Sequence, residues 1–430
     1  MSERGRALVG PRSDPALIEC PPSDTMTKYG VSPWVDQFPK TRIPAHPRHR
    51  GSSPVDVVVI GGGLTGCLSV YAFAASGIKV VLFEANRIGT GATGSAGGWI
   101  ADEPGIPFTD LVDAAGKKRA QAAWHAWRRS ALDFASLLRR LDIKCGLDPR
   151  SAVTIAANPE QVLWTMREQK ARRDGGIDAP LLSAKAIKTD FALDARAGLR
   201  SKDGAVADPY RACLGIAAAA AARGAAIFER SAVRRITFNR KTADVTTEGG
   251  TMRVNRIIVA TGQPTPLFKA LARHFWFKST YLVQTKPVPA KIRQLLGRRD
   301  AIVRDAAQPP HLIRWVGDDR IIVTGADGDA IAAKARGKVV VQRTGQLMYE
   351  LSTLYPDISG IEPDYGWSAD YVRTEDGLPY IGAHRNYPHH LFAWGDASHS
   401  LTGAYLASRM MLRQHSGKSE PLDEAFSFNR

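Results

Sequence analysis

A glycine-rich turn between a strand and a helix constrains the fold of this chain more than any other feature. The run Val55–Ile60 is apolar and β-branched, which is typical of a buried parallel strand. Gly61, Gly63 and Gly66 follow in a G-x-G-x-x-G pattern, and apolar residues then recur at helical spacing. A second apolar run covers residues 78–83. Together these pieces predict a complete βαβ unit of the dinucleotide-binding kind.

Each glycine has a physical role in such a unit. The first permits a tight turn, the second lets backbone approach a pyrophosphate, and the third lets helix and strand pack closely. The helix N-terminus then offers free N–H groups and a partial positive charge to the phosphates. Glu84 ends the second strand, where a carboxylate accepts hydrogen bonds from ribose hydroxyls and disfavours a 2′-phosphate. The pattern therefore favours FAD or NAD over NADP, and a purely structural turn is the alternative.

The segment after Glu84 distinguishes these cofactors. Residues 89–98 are rich in glycine and in small hydroxyl side chains. Such a loop offers backbone amides and hydroxyls to a second phosphate and to a flat ring system. A flexible surface loop is the alternative interpretation.

Composition limits the class of protein. A chain of 430 residues predicts two domains or a two-lobed enzyme, and 44% hydrophobic with 23% charged residues exclude a disordered or collagen-like chain. The 58 Lys and Arg against 42 Asp and Glu give a net charge of +16, which is compatible with nucleic acid, acidic lipid or an anionic cofactor. Four widely spaced cysteines favour a reducing compartment and predict neither a zinc site nor a disulfide scaffold. No bilayer-spanning apolar stretch or secretory signal is visible, so we expect a cytoplasmic protein without a membrane partner or bound metal.

The sequence resembles the FAD-dependent oxidoreductases related to D-amino acid oxidase. It is most similar to the branch containing glycine oxidase, sarcosine oxidase and gamma-glutamylputrescine oxidase. The segments that carry the resemblance are spread over residues 30–430, and they are 57–66 with Glu84, 89–98, 257–262, 374–382, 392–412 and 426–430.

The resemblance implies an α/β fold with a Rossmann-like FAD-binding domain of the glutathione-reductase type. An interleaved α+β substrate domain with an antiparallel sheet would complete it. The implied division is an extended Pro-rich arm at 1–54, an FAD-binding domain from 55–110, 200–265 and 366–430, and a substrate-binding domain from 111–199 and 266–365. Family members remove a hydride from the carbon beside an amine nitrogen, so a small amine or amino acid is the expected substrate. Oxygen or another acceptor would then reoxidise the flavin.

The resemblance also implies which residues touch the cofactor. The expected FAD-binding residues are Gly61, Gly63, Leu64, Thr65, Gly66, Glu84, Ala85, Ala92, Thr93, Ser95, Gly98, Val233, Ala260, Thr261, Gly262, Gly395, Asp396, Ser400, Leu401 and Thr402. FAD should be non-covalent, because the histidine and cysteine that anchor it in some relatives have no counterpart here.

Three residues are candidates for catalysis. His399 falls where the flavin ring is expected and can stabilise negative charge on the reduced flavin. Arg314 falls in a strand region from which relatives present an arginine to a substrate carboxylate, and Tyr281 can line the pocket. The alternatives are a structural histidine, a surface salt bridge and a core tyrosine.

One loop departs from the family pattern and leaves two alternative functions open. The branch has several glycines near the flavin, in a pattern like G-x-G-G-N-G-x-T, whereas residues 395–402 read G-D-A-S-H-S-L-T. A catalytically degenerate FAD-binding subunit is therefore one alternative. A flavoprotein that modifies tRNA is the other, motivated by the charge of +16, although the basic residues are scattered and no RNA-binding module is visible.

Overall fold

The computed structural model describes residues 26–307, 309–395 and 399–430. The predicted cofactor residue Asp396 and the first 25 residues of the N-terminal arm lie outside this part of the chain.

The described part of the chain contains twenty strands. In chain order they are β1 (Lys28–Tyr29), β2 (Val55–Ile60), β3 (Val80–Phe83), β4 (Trp99–Ile100), β5 (Asp148–Pro149), β6 (Ser151–Ala156), β7 (Leu181–Ser183), β8 (Ala197–Ser201), β9 (Ala205–Val206), β10 (Ala226–Phe228), β11 (Arg235–Phe238), β12 (Ala243–Thr247), β13 (Gly250–Gly262), β14 (Trp276–Thr285), β15 (Ala301–Asp305), β16 (Leu312–Val316), β17 (Arg320–Asp329), β18 (Pro363–Arg373), β19 (Tyr380–His384) and β20 (Tyr387–Trp394).

Helices cover the faces of the sheets. In chain order they are α1 (Pro33–Asp36), α2 (Leu64–Ala75), α3 (Ala92–Ser95), α4 (Phe108–Ala115), α5 (Lys117–Arg140), α6 (Pro159–Asp174), α7 (Ala184–Phe191), α8 (Pro209–Ala221), α9 (Ala290–Leu295), α10 (Ala333–Leu354) and α11 (Thr402–His415). Short 3₁₀ turns lie at Lys40–Arg42, Pro266–His274, Pro356–Ile358 and Pro421–Phe426.

The first sheet is built from widely separated parts of the chain. Its strand order is β10-β3-β2-β13-β12-β11, with β20 also paired to β13 and β19 paired to β20. The pairs β10–β3, β3–β2, β2–β13 and β13–β20 are parallel, whereas β11, β12 and the first half of β13 form an antiparallel meander. Helices α2, α8 and α11 pack together, with α5 against α11, and their apolar faces form one large core. The parallel strands are continuous apolar runs because both faces of the sheet are buried.

The second sheet has the order β1-β18-β14-β17-β16-β15-β6-β8-β7 and is mostly antiparallel. Helix α10 packs on one face of it through Val340, Leu347 and Leu351. A small third sheet has the strand order β4-β9-β5. These sheets confirm the predicted fold class, and the expected boundary at residue 366 falls inside β18.

The described part of the N-terminal arm packs on the body of the protein. Strand β1 pairs with β18, and the Trp34 indole Nε1 donates to the Ala96 carbonyl oxygen over 2.9 Å. The Phe38 ring meets Tyr210 edge-on, with 5.4 Å between ring centroids. These contacts place the arm beside the glycine-rich loop at 89–98.

Candidate active site

The predicted turn after β2 is as tight as its glycines allow. Gly61 has φ of +107°, and a Cβ atom there would lie 2.6 Å from the Ala260 carbonyl oxygen. A Cβ atom at Gly66 would overlap the Gly61 carbonyl oxygen. Helix α2 therefore begins directly against the ends of β2 and β13, which aims its N-terminus at the space above the sheet.

Glu84 is held beside this turn by two backbone amides. Its Oε2 accepts from Gly62 N over 2.6 Å and its Oε1 accepts from Asn86 N over 2.7 Å. A carboxylate has about four acceptor positions, so both oxygens keep capacity for the hydroxyls of a ribose.

A large cavity of about 530 Å³ opens where the parallel strands end, between the first and second sheets. Its lining contains the first residues of α2 together with the loops around 91–96, 261–263 and 399–404. The residues predicted from sequence that line it are Leu64, Thr65, Ala92, Thr93, Ser95, Thr261, Gly262, Gly395, Ser400 and Leu401.

Other predicted residues lie outside this lining. They are Gly61, Gly63, Gly66, Glu84, Ala85, Gly98, Val233, Ala260 and Thr402. The glycines and Ala260 build the turn and the loop rather than the wall. The Thr402 hydroxyl is buried and donates to the Ala101 carbonyl oxygen over 2.7 Å, so it fixes the start of α11.

The large cavity fits FAD in its chemistry. The N-terminus of α2 faces one part of it, and the Thr93 hydroxyl there accepts from Leu64 N over 2.8 Å. A helix N-terminus favours the negative charge of a pyrophosphate. Trp127, Ile381 and Leu401 supply apolar parts of the wall, which suit a flat ring system.

A small cavity of about 50 Å³ adjoins the large one and shares Tyr371 and His399 with it. Asp327 lies in its wall: its Oδ2 accepts from the Tyr371 hydroxyl over 2.5 Å and lies 3.1 Å from His399 Nε2. The Tyr371 and His399 rings meet edge-on, 4.6 Å apart. His399 has φ of +52°, a left-handed conformation that is uncommon outside glycine and that its neighbours must hold in place.

The charge of Asp327 follows from these contacts. Burial raises the pKa of its carboxyl group, but hydrogen bonds from His399, Thr280 and Tyr371 lower the pKa by more. The net pKa lies below the ordinary value for aspartate, so the carboxylate is anionic at neutral pH. The wall between the two cavities therefore carries a fixed negative charge.

Two arginines also line the small cavity, and their surroundings differ. Arg304 Nη2 pairs with Glu103 Oε1 over 2.6 Å and its Nε donates to the Thr154 hydroxyl over 3.1 Å, so its charge is compensated. Arg373 is exposed, and its side chain forms no ion pair or hydrogen bond with any residue that the structure describes. Arg373 is therefore available to an anionic ligand.

The three predicted catalytic residues have different positions. His399 lines both cavities. Arg314 lines neither: its Nε and Nη2 donate to the Gly97 carbonyl oxygen, the former over 2.8 Å, and burial lowers its pKa to about 10. Tyr281 is buried on the α10 side of the second sheet, under the Arg343 guanidinium at 5.6 Å, and burial raises its pKa. The structure brings His399 to the site and does not bring Arg314 or Tyr281 there.

Three residues of the small cavity were not predicted from the sequence, namely Asp327, Tyr371 and Arg373. Tyr371 and Arg373 are alternate residues at the end of β18, directly before the conspicuous segment at 374–382. Alternation in a strand places both side chains on one face, so this pair carried a usable signal. Asp327 had only its position between Gly325 and Gly328 to single it out.

Comparisons with known proteins agree with this architecture. The family model described as FAD dependent oxidoreductase (DAO) matches residues 56–414. Gamma-glutamylputrescine oxidoreductase of Escherichia coli K12 is 27% identical over 373 residues, covering 86% of this chain and 85% of that protein. Glycine oxidase of Geobacillus kaustophilus is 26% identical over 338 residues, covering 76% of this chain and 84% of that protein. The crystal structure of glycine oxidase from Geobacillus kaustophilus superposes with a TM-score of 0.72 at 20% identity, over 88% of this chain and 99% of that one.

These comparisons confirm the predicted family, the FAD cofactor and the assignment as an oxidoreductase related to amine and amino-acid oxidases. They give no support to the alternative of a tRNA-modifying flavoprotein. Among the residues that the structure describes, no helix is both long and apolar enough to cross a membrane. Because the family model spans most of the chain, this protein belongs to the DAO family of FAD-dependent oxidoreductases.

Proposed function

We propose that this enzyme oxidises the C–N bond of a small amino acid. The observation that carries the proposal is the small cavity, which is lined by an anionic Asp327 and an uncompensated Arg373 and lies beside the large cavity. When bound, FAD supplies a two-electron acceptor for the hydride that leaves the carbon beside the nitrogen.

Arg373 and Asp327 carry opposite charges, as do the carboxylate and the ammonium group of an amino acid. The Arg373 guanidinium suits a carboxylate, which it can hold through two parallel hydrogen bonds. Asp327 suits the ammonium group of the same molecule. Trp99, Ile106 and Leu312 form apolar wall around these groups and limit the access of water.

The oxidation also requires a place for a proton. The amine must lose one proton to become neutral before a hydride can leave its α-carbon. The short Asp327–His399 contact of 3.1 Å can hold that proton between Oδ2 and Nε2. The Tyr371 hydroxyl, which also donates to Asp327, keeps the carboxylate oriented toward the cavity. Loss of the hydride from the neutral amine leaves an iminium ion, which water hydrolyses to a carbonyl compound and an ammonium or alkylammonium ion.

The size of the small cavity limits the substrate. At about 50 Å³ it has room for a short side chain and not for an aromatic one. We therefore propose glycine-sized to alanine-sized amino acids, including N-methylated ones. Larger amines without a carboxylate are the main alternative, and they would not need Arg373.

The test is an anaerobic substrate panel on the FAD-loaded enzyme. Each member is a matched set of amino acid, amino-acid amide and decarboxylated amine, and the measurement is loss of the oxidised-flavin absorption band. We expect the amino acids to reduce the flavin and their amides and amines to do so far more slowly. Bleaching by dithionite but by no member of the panel would instead support a binding-only subunit.

A pair of variants assigns the carboxylate contact. Arg373→Met should raise KM for the amino acid by about tenfold or more, because a charged hydrogen bond contributes about 1.5–3 kcal/mol. The control is Arg385→Met, which removes the same charge from an exposed turn between β19 and β20. Equal KM values in the two variants would contradict the proposed role of Arg373.

We also propose that the enzyme works in a reducing compartment such as the cytoplasm, with oxygen or a soluble carrier as the electron acceptor. The Cys67 and Cys213 sulfur atoms lie 3.5 Å apart without being joined, which supports a reducing environment. Oxygen consumption measured beside reduction of an artificial dye would separate an oxidase from a dehydrogenase.

A further inference from the structure

Outside the active site, a second polar cavity lies between three of the described helices. This helix cavity has a volume of about 250 Å³ and lies between α2, α5 and α11. The polar side chains in its lining are Tyr71, Asp133, Ser136, Arg140, Tyr405, Arg409 and Ser408, whose hydroxyl already donates to the Tyr405 carbonyl oxygen. Its apolar wall comes from Leu68, Ala72 and Leu137.

The helix cavity lies on the other side of the helices that wall the large cavity. Ala404 and Ala407 of α11 line the large cavity, whereas Tyr405 and Arg409 of the same helix line the helix cavity. A ligand in the helix cavity therefore does not compete with FAD for space.

The charges in the helix cavity are not balanced. The Arg140 and Arg409 side chains are exposed, and neither forms an ion pair or hydrogen bond with any residue in the described ranges. The carboxylate of the cavity, Asp133, has an arginine of its own on the preceding turn of α5, with Arg129 Nε 3.7 Å from Asp133 Oδ2. Two guanidinium groups from two different helices are therefore left to attract an anion.

Hydroxyl groups supply further donors around the same space. The side-chain hydroxyls of Tyr71, Ser136 and Tyr405 have no hydrogen-bond partner within the described part of the chain. Tyr405 is held in place by stacking on Phe134, with 5.7 Å between ring centroids. Burial raises the pKa of Tyr405, so its hydroxyl keeps its proton and is available as a donor at neutral pH.

This donor set matches a phosphate group better than a carboxylate. Two arginines and three hydroxyls exceed what the two oxygens of a carboxylate can accept, whereas a phosphate ester has three free oxygens and a double charge. The cavity is also larger than a phosphate ion, and its apolar wall can cover an attached organic group. We propose that the helix cavity binds a small soluble phosphomonoester.

The test uses the FAD-loaded enzyme, so that the large cavity is already filled. Binding of inorganic phosphate, phenyl phosphate and benzoate is measured by isothermal titration calorimetry at constant ionic strength. We expect phenyl phosphate to bind most tightly, because it engages both the donors and the apolar wall, and benzoate to bind most weakly.

Matched variants place the binding in this cavity. Arg140→Gln and Arg409→Gln should each weaken phenyl phosphate binding by about tenfold, the loss of one charged hydrogen bond. Arg139→Gln is the control, because it removes the same charge from the neighbouring exposed position of α5, outside the cavity lining. Tyr405→Phe should weaken phenyl phosphate binding less than either cavity arginine variant.

Three results would overturn the proposal. One is the absence of phenyl phosphate binding to the wild-type holoenzyme. Another is equal weakening by Arg139→Gln and Arg140→Gln, which would indicate attraction by the net positive charge alone. The third is co-sedimentation with phosphatidic acid vesicles without binding of phenyl phosphate, which would assign the arginines to a lipid surface.

Discussion

Replacing Gly61 by alanine tests whether the turn after β2 controls cofactor binding. The substitution has two costs: φ of +107° is unfavourable for alanine, and its Cβ would lie 2.6 Å from the Ala260 carbonyl oxygen, against a practical limit of 3.0 Å. The backbone strain costs about 1–3 kcal/mol. The clash adds about 1–3 kcal/mol, because its partner is backbone and cannot rotate away. We expect the apo-protein to lose about 2–6 kcal/mol of unfolding free energy.

Two further glycines separate these costs. Gly77 has φ of +76°, but a Cβ atom added there would have no neighbour within 4 Å, so Gly77→Ala carries the backbone strain alone. Gly66 lies within α2, so Gly66→Ala carries only the overlap with the Gly61 carbonyl oxygen and gains about 1 kcal/mol of helix propensity. The three variants therefore distinguish strain from displacement of the helix.

The assay is a titration of each apo-protein with FAD, followed by flavin fluorescence, beside urea denaturation without FAD. Displacing the first amides of α2 removes charged hydrogen bonds to the pyrophosphate, so Gly61→Ala and Gly66→Ala should bind FAD about 10- to 100-fold more weakly. Gly77→Ala should lose stability and keep its FAD affinity. Equal FAD affinities of Gly77→Ala and Gly61→Ala would contradict a role of the turn after β2 in cofactor binding.

Three other predictions concern charged groups. Asp327→Asn should lower the holoenzyme's free energy of unfolding at neutral pH, because the lowered pKa of Asp327 means that folding favours its ionised form. In urea titrations the difference from the wild type should disappear as the pH falls below about 3.9. A difference that does not change with pH would contradict this. Glu103→Gln leaves the buried Arg304 without its carboxylate partner and Arg172 with Glu168 alone, and it should cost about 3–5 kcal/mol in denaturation experiments. Glu362→Gln breaks an exposed pair with Lys286 and should cost far less. Arg430→Met breaks the pair with Asp376 over 2.7 Å, so hydrogen exchange should speed up in residues 374–382 and stay unchanged in α10.

Much of the fold could be predicted from the sequence because its signals are local. The strand, turn and helix of the βαβ unit lie within about thirty consecutive residues. Glu84 directly follows the second apolar run of this unit, so its position at the end of β3 could be predicted as well. The glycine pattern lies in the same short stretch and could be recognised there, whereas the close approach of the Ala260 carbonyl oxygen to Gly61 comes from a distant strand.

The substrate side could not be predicted to the same depth. Whether Arg314 faces a cavity depends on the register of β16 and on Gly97, which lies more than two hundred residues earlier and whose carbonyl oxygen accepts from Nε and Nη2 of Arg314. The position of Tyr281 could be predicted only by knowing which face of β14 is covered by α10. A sequence pattern gives alternation along a strand, but it does not say which face meets which partner.

The strands of the first sheet lie far apart in the sequence, and this separation affects folding during synthesis of the chain. The C-terminal half of β13 has β2 on one side and β20 on the other, and β20 begins only at Tyr387. At roughly 5–20 residues per second, synthesis of the chain between Gly262 and Tyr387 takes on the order of ten seconds, so β13 is complete well before β20 leaves the ribosome. During that time β13 presents an apolar edge without a partner, which is an aggregation hazard. Successful folding therefore depends on protecting that edge until β20 has emerged.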